Sequence, residues 1–283
     1  MPLVINTNVS SLNAQRQLSA NTMALGRTME RLASGYKINR ASDDAAGMQI
    51  SENLRAQIRG SKKALDNVQD GINMLNIMDG ALSSITNAVQ RMRELTVQAS
   101  NDTNSSNQRA AIESELDELA NEITRLTDAS QFNGVDLFNT GLSGFKIHLG
   151  PNNSTTVDVI DLDTNNLFDD IGAANLQIDD ANIAVDSHTN ALAALGKLDA
   201  ALTSVNLRRA TLGAMTNRLE TASSNLSVSI ENLSASESRI RNVDVAEASA
   251  ELVRNQILQQ ASSTILSQAN QSPQLALQLL GGQ

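Results

Sequence analysis

Residues 198–240, LDAALTSVNLRRATLGAMTNRLETASSNLSVSIENLSASESRI, place Leu198, Val205, Leu212, Leu219, Leu226, Leu233 and Ile240 seven apart without a break. A strict seven-residue apolar repeat keeps one seam of an α-helix facing a partner and winds it into a left-handed supercoil. No Pro falls between residues 152 and 272, so nothing interrupts the helix. At 1.5 Å per residue, 190–240 alone would run roughly 75 Å. The second positions of the repeat are mixed: Leu202, Arg209, Thr216, Ser223 and Ile230. Such a helix belongs in a bundle, not in a simple two-stranded zipper.

Partners for it lie in the N-terminal half. Leu65, Val68, Ile72, Leu75, Met78, Leu82, Ile85, Val89 and Met92 alternate by three and four, as do Ile112, Leu116, Leu119, Ile123 and Leu126. Between the two stripes, Ser105-Ser106-Asn107-Gln108 has the spacing of a capping box and predicts a helix start. Ser42-Asp43-Asp44 predicts another, its charge complementing the helix dipole. Composition agrees with helices. The chain has 283 residues, 41% apolar, with no Trp, one Tyr and four Phe. A core of Leu, Ile, Val, Met and Ala suits a bundle; sandwiches and barrels lean on aromatic and β-branched residues.

The middle breaks this pattern. Residues 132–188 hold Phe132, Phe138, Phe145 and Phe168, short alternations such as Thr156-Val157-Asp158-Val159, and turn formers Gly134, Gly141, Gly144, Gly150 and Pro151. Short strands or hairpins are expected there. The same segment carries nine Asp and one Lys, most of the net charge of −10, and reads as a solvated acidic surface region.

The ends have a third character. Residues 1–41 and 243–283 bear apolar stripes, Leu18, Leu25, Met29 and Leu32 on one and Leu252, Leu258 and Ile265 on the other, diluted by Asn, Gln, Ser and Thr. Each is marginal as an isolated helix, so the ends are expected to pair with each other or to order against a partner.

Function classes fall away quickly. The acidic balance opposes nucleic-acid binding, which needs a basic face, and no apolar run approaches a membrane span, so no membrane insertion is expected. Met1 to Ser19 has no charge before Arg16 and no apolar run longer than Leu3-Val4-Ile5, so a cleavable signal peptide is not expected. Zero Cys removes disulfides and thiolate chemistry. His148 and His188 form no HExxH, and Gly196-Lys197 belongs to no phosphate loop. No catalytic residue, cofactor site or metal site is expected, and no enzyme.

The ends carry a resemblance. Ile5-Asn6-Thr7-Asn8, Leu32-Ala33-Ser34-Gly35-Tyr36-Lys37-Ile38-Asn39 and Ala41-Ser42-Asp43-Asp44-Ala45-Ala46-Gly47 resemble the bacterial flagellins. So do Gln90-Arg91-Met92-Arg93-Glu94-Leu95, Gln131-Phe132-Asn133-Gly134, Gln256-Ile257-Leu258-Gln259-Gln260 and Ala269-Asn270-Gln271. The resemblance covers roughly 1–140 and 190–280. It implies a mainly α fold, a long antiparallel helical bundle or coiled coil formed by both chain ends, with a small β-containing central insertion. The implied layers are 1–41 plus 241–283, a terminal coiled coil disordered in the monomer; 42–140 plus 189–240, a helical rod; and 141–188, a short variable acidic outer module.

The resemblance also implies a function: an extracellular subunit that polymerises with itself into the filament used for swimming, exported unfolded by the flagellar type III route. Its implied partners are the export chaperone, the filament cap, the hook–filament junction proteins and the host Toll-like receptor for flagellin. Gln90, Arg91, Glu94, Leu95 and Gln98, with Glu115 on the next helix, match the receptor or inter-subunit segment. Leu18, Leu25, Leu32, Leu252, Leu258 and Ile265 mark the polymerisation and chaperone segments. The alternatives are a hook–filament junction protein, which resembles flagellin at both ends, and a secreted monomeric signalling or adhesive ligand.

Overall fold

The computed structural model describes residues 7–138, 145–154, 158–162, 170–179 and 182–281, with side chains as far as Gln271. Five helices dominate these residues: α1 Val9–Ser34, α2 Ala45–Ala99, α3 Ser106–Ala129, α4 His188–Arg241 and α5 Val245–Gly281. Between α3 and α4 in the chain lie four short strands, β1 Gln131–Phe132, β2 Val135–Asp136, β3 Lys146–His148 and β4 Val159–Asp161, paired as two antiparallel ribbons, β1–β2 and β3–β4. The fold is mainly α with a small β-containing insertion, as the periodicity and composition predict.

The helix ends obey local chemistry. Ser105 and Gln108 close the predicted capping box, each side chain accepting from the other's backbone N–H, which satisfies two N-terminal donors at once. Asp44 precedes α2, and its Oδ1 accepts from the Gly47 N–H at 2.9 Å. At the end of α1, Gly35 sits at φ 75°, and its N–H donates to the Arg31 carbonyl at 2.9 Å; a side chain is strained in that conformation, so glycine ends the helix. Asn133-Gly134, at φ 52° and 78°, forms the two-residue turn that joins twisted antiparallel strands.

Packing divides the chain into two units, Gln57–Glu231 and Met1–Ala56 with Asn232–Gln283. These boundaries run inside α2 and α4, whereas the boundaries expected from sequence, 41 and 241, fall at the helix connections. The Gln57–Glu231 unit holds one apolar core. Val68, Leu75, Met78, Leu82, Ile85, Val89 and Met92 from α2, Ile112, Leu116 and Ile123 from α3, and Leu198, Val205, Leu212 and Leu219 from α4 are all buried in it. Arg209, the charged residue in the α4 repeat, donates to Asp79 Oδ1 at 2.9 Å, so its charge meets a carboxylate from α2. Arg93 and Asp199 make a second α2–α4 ion pair at 2.7 Å.

The insertion does not stand apart from this core. Leu137, Phe138, Ile147, Leu149, Ile160, Leu162, Ile171, Ile178, Ile183 and Val185 are buried with the helical residues. What reads in sequence as an acidic outer module therefore contributes its apolar side to the bundle. β3 alternates, Ile147 inward with Lys146 and His148 outward. Two glycines of α2 seat the β3–β4 ribbon. A Cβ on Gly71 would stand 2.2 Å from Ile147 Cδ1, and one on Gly60 would stand 2.8 Å from Pro151 Cβ. Phe168, Gly141, Gly144, Thr156 and Val157 lie outside the described residues.

Candidate functional site

Three surfaces could carry function. The first is the charged face of α2 and α3. Gln90, Arg91, Glu94 and Gln98 are exposed on α2 and Glu115 is exposed on α3. Arg91 Nη2 donates to Glu115 Oε1 at 2.9 Å and its Nη1 to Glu94 Oε2 at 3.3 Å. The bond to Glu115 and the attraction of the two carboxylates raise the Arg91 pKa above its ordinary value. Leu95 is not on this face: it is 3% exposed and belongs to the core. Arg91 and Glu94 face solvent while Leu95 supports them from beneath.

The second surface is the α1·α5 pair, the principal helix contact of its unit. Leu25 is buried; Leu18, Leu32 and Leu252 are half-buried in the pair. Leu258 and Ile265, expected on the same apolar stripe, are instead 43% and 58% exposed. They share that exposure with Val9, Leu12, Met23, Met29, Val253 and Ile257. Among the described residues of this unit the buried apolar side chains are Ala14, Leu25, Ile38 and Ala248, and the buried polar ones are Thr28, Ser51, Asn255 and Ser262. As many polar as apolar groups inside means that hydrophobic burial alone holds this pair weakly.

The third lies where the chain turns out of α1 and into α5. Tyr36 and Asn242 form an antiparallel bridge, with Lys37 N–H donating to the Arg241 carbonyl at 2.6 Å and Val243 N–H to the Gly35 carbonyl at 3.0 Å. Arg241 reaches Glu52 Oε1 at 2.6 Å; that bond holds the Glu52 carboxyl below its ordinary pKa. Asp43 is lowered as well, chiefly by the backbone N–H of Arg40 at 3.0 Å.

The α4 seam grades along its length. Leu198, Val205, Leu212 and Leu219 are buried, whereas Leu226, Leu233 and Ile240 are half-buried. Elsewhere, Asn67, Asp70, Gly71, Met74, Phe132 and Ile147 are among the residues lining a shallow apolar recess of about 270 Å³. His188 Nδ1 lies 2.6 Å from the Ser100 carbonyl, tying the start of α4 to the α2–α3 connection. Among the described residues no three His, Asp or Glu side chains converge as a metal site would require, and no helix is long and apolar enough to cross a membrane.

Long helices at both chain ends, a weak polar seam between them and exposed apolar residues along them define a helical structural protein built to make further helix contacts. The comparisons with known proteins agree. The family models for the bacterial flagellin N-terminal and C-terminal helical regions match residues 5–141 and 195–280. Flagellin of Halalkalibacterium halodurans is 43% identical, over 98% of this chain and 100% of its own. The flagellar filament 33 kDa core protein of Treponema phagedenis is 38% identical over 98% and 100%, and Bacillus subtilis flagellin 39% over 98% and 99%. The crystal structure of Bacillus cereus flagellin aligns with 57% of this chain and 88% of its own, at 28% identity and a TM-score of 0.49. The chain belongs to the bacterial flagellins, and it is a structural subunit of the flagellar filament.

Proposed function

We propose that this subunit polymerises through its α1·α5 pair and that its work is structural, without catalysis. The observation that carries this reading is the row of exposed apolar residues on α1 and α5, Val9, Leu12, Met23, Val253, Ile257 and Ile265 among them. One chain leaves these side chains in water, and copies packed side by side would bury them. A weak pair also explains how assembly is confined to the filament tip. The ends stay unfolded through export by the type III route, and the ordering entropy is offset only when neighbours arrive. The export chaperone would hold the α5 segment before export, and the cap and hook–filament junction proteins would meet it at the filament's two ends.

The exposed set Gln90, Arg91, Glu94, Gln98 and Glu115 is the contact face for a neighbouring subunit and, in a host, for the Toll-like receptor that senses flagellin. Leu95 contributes by holding α2 in place.

The test is truncation. Chains lacking residues 1–30 or 254–283 are expected to keep a cooperative helical unfolding transition and to form no filaments on seeding, as seen by electron microscopy. Filaments of normal length from either truncation would overturn the reading.

A further inference from the structure

The seam between α1 and α5 alternates two kinds of residue. On α1, Leu18, Leu25 and Leu32 recur every seven positions, and Ala14, Asn21 and Thr28 recur at the same interval four residues ahead of them. On α5 the positions buried once per heptad are Ala248, Asn255 and Ser262. The polar members meet across the seam. Asn21 Nδ2 donates to Ser262 Oγ at 2.7 Å, and Asn255 Nδ2 to Thr28 Oγ1 at 3.1 Å. The Thr28 hydroxyl donates to the Ala24 carbonyl at 3.0 Å, which leaves its oxygen lone pairs to accept from Asn255. Flanking rungs continue the series: Ser11 Oγ donates to Asn270 Oδ1 at 2.6 Å and Asn8 Nδ2 to the Ala269 carbonyl at 2.7 Å. The sequence separation falls from 259 at Ser11–Asn270 to 227 at Thr28–Asn255, close to two per residue, as antiparallel helices in one unbroken register require.

We propose that Asn21, Thr28, Asn255 and Ser262 set the register of the α1·α5 pair. The leucines cannot do so, because a slip of one heptad leaves them facing equivalent positions. The polar rungs distinguish the registers, because the native one pairs all four residues and a slip pairs only two. Moved one way, Thr28 meets Ser262, but Asn21 faces Ala269 and Asn255 runs past the end of α1; moved the other, Asn21 meets Asn255, but Ser262 faces Ala14 and Thr28 faces Ala248. Either slip leaves two of the four without a partner across the seam, and a polar group that loses its partner in a packed seam destabilises that register. A single buried polar residue is known to select one register in this way, at the expense of stability. Here the device suits a pair whose two strands lie at opposite ends of the chain and which must find each other late.

The inference rests on the proposed pairing of these ends in the assembled subunit, and the test separates the two. The full chain has no Cys, so introduced thiols report unambiguously. Two reporters are made, Ser11→Cys with Asn270→Cys for the native register and Ser11→Cys with Ser263→Cys for a one-heptad slip, and a short thiol-to-thiol cross-linker is applied. In the otherwise unchanged chain only the native reporter is expected to close. Adding Asn21→Leu with Asn255→Leu is expected to raise the slipped product at least about tenfold. The exchange Asn21→Ser with Ser262→Asn, which keeps an amide facing a hydroxyl, is expected to retain the native product alone. Overturning results are an unchanged cross-linking pattern in the leucine variant, or a slipped product in the exchanged one. Electron microscopy of the unchanged chain reads assembly separately, so a failure to polymerise counts against the proposed function and not against the register.

Discussion

Arg241 lays its guanidinium 4.8 Å from the centre of the Tyr36 ring, where the connection from α1 to α2 meets the connection from α4 to α5. The cation stacks on the aromatic face and reaches on to Glu52 Oε1 at 2.6 Å. Only 12% of the Arg241 side chain is exposed. One side chain thus fastens two connections that are some two hundred residues apart in the chain. Replacing Arg241 by Ala is expected to loosen the Tyr36–Asn242 bridge. The amides of Lys37 and Val243 should then exchange with solvent roughly tenfold faster, measured by hydrogen exchange, while those of α3 hold their rates.

Acid should weaken the same region. Glu52 and Asp43 are both held below their ordinary pKa, by Arg241 and by the Arg40 N–H respectively. A depressed folded value contributes stability that is complete above the unfolded value, about 4 for either carboxyl, and is lost as pH falls through the folded one. Protection of the Lys37 and Val243 amides is expected to be constant from pH 7 to about pH 5 and to decline below about pH 4. Glu52→Gln should flatten part of that decline.

The α2 glycines differ in kind. Gly60→Ala would push a Cβ against Pro151, at 2.8 Å from its Cβ and 3.1 Å from its Cα, and should cost about 1–3 kcal/mol through overpacking. Gly80, on the same helix, has nothing within 4 Å of the place a Cβ would take. Gly80→Ala should therefore stabilise by about 0.5–1 kcal/mol, because alanine loses less entropy in a helix. Thermal unfolding of the two variants should shift in opposite directions.

Arg91 and Leu95 separate surface from core. Arg91→Ala removes an exposed ion pair that solvent already screens, so the melting temperature should barely move. If the charged face is a contact face, receptor signalling or filament formation should nevertheless fall. Leu95→Ala empties a buried site and should cost about 2–5 kcal/mol in thermal or denaturant unfolding. Any functional loss from Leu95→Ala should then track the loss of fold.

The α4 seam predicts a gradient. Leu219→Ala, at a fully buried position, should cost about 2–5 kcal/mol. Ile240→Ala, at a half-buried one, should cost clearly less in denaturant unfolding of the monomer. Equal losses would mean that the seam is as closed at Ile240 as at Leu219.

Much of this was legible in the residues. The seven-fold repeat from Leu198, the stripes of α2 and α3 and the Ser105–Gln108 capping box all follow from local periodicity and capping chemistry, which act over a few residues. The motifs at the ends were long enough to mark the family. Other features depended on distant neighbours. Asn255 and Ser262 read as diluting residues, yet they are buried partners of Thr28 and Asn21. Leu258 and Ile265 read as one apolar stripe with Leu252, yet they are exposed where Leu252 is half-buried. Asp residues in 132–188 hid the apolar residues that join the bundle core, because a two-residue alternation over short strands leaves a weak signal beside so much charge.

By itself the sequence determined helix, helix start and apolar face, since spacing at 3.6 residues per turn decides these before any partner is present. Tertiary structure alone decided which face met which partner. Leu95 went inward, Arg91 found Glu115, and the polar rungs of α1 met those of α5. Pairing between residues far apart in the chain is a choice among near-equivalent alignments, and only the packed arrangement, where each buried polar group must find its partner, selects one.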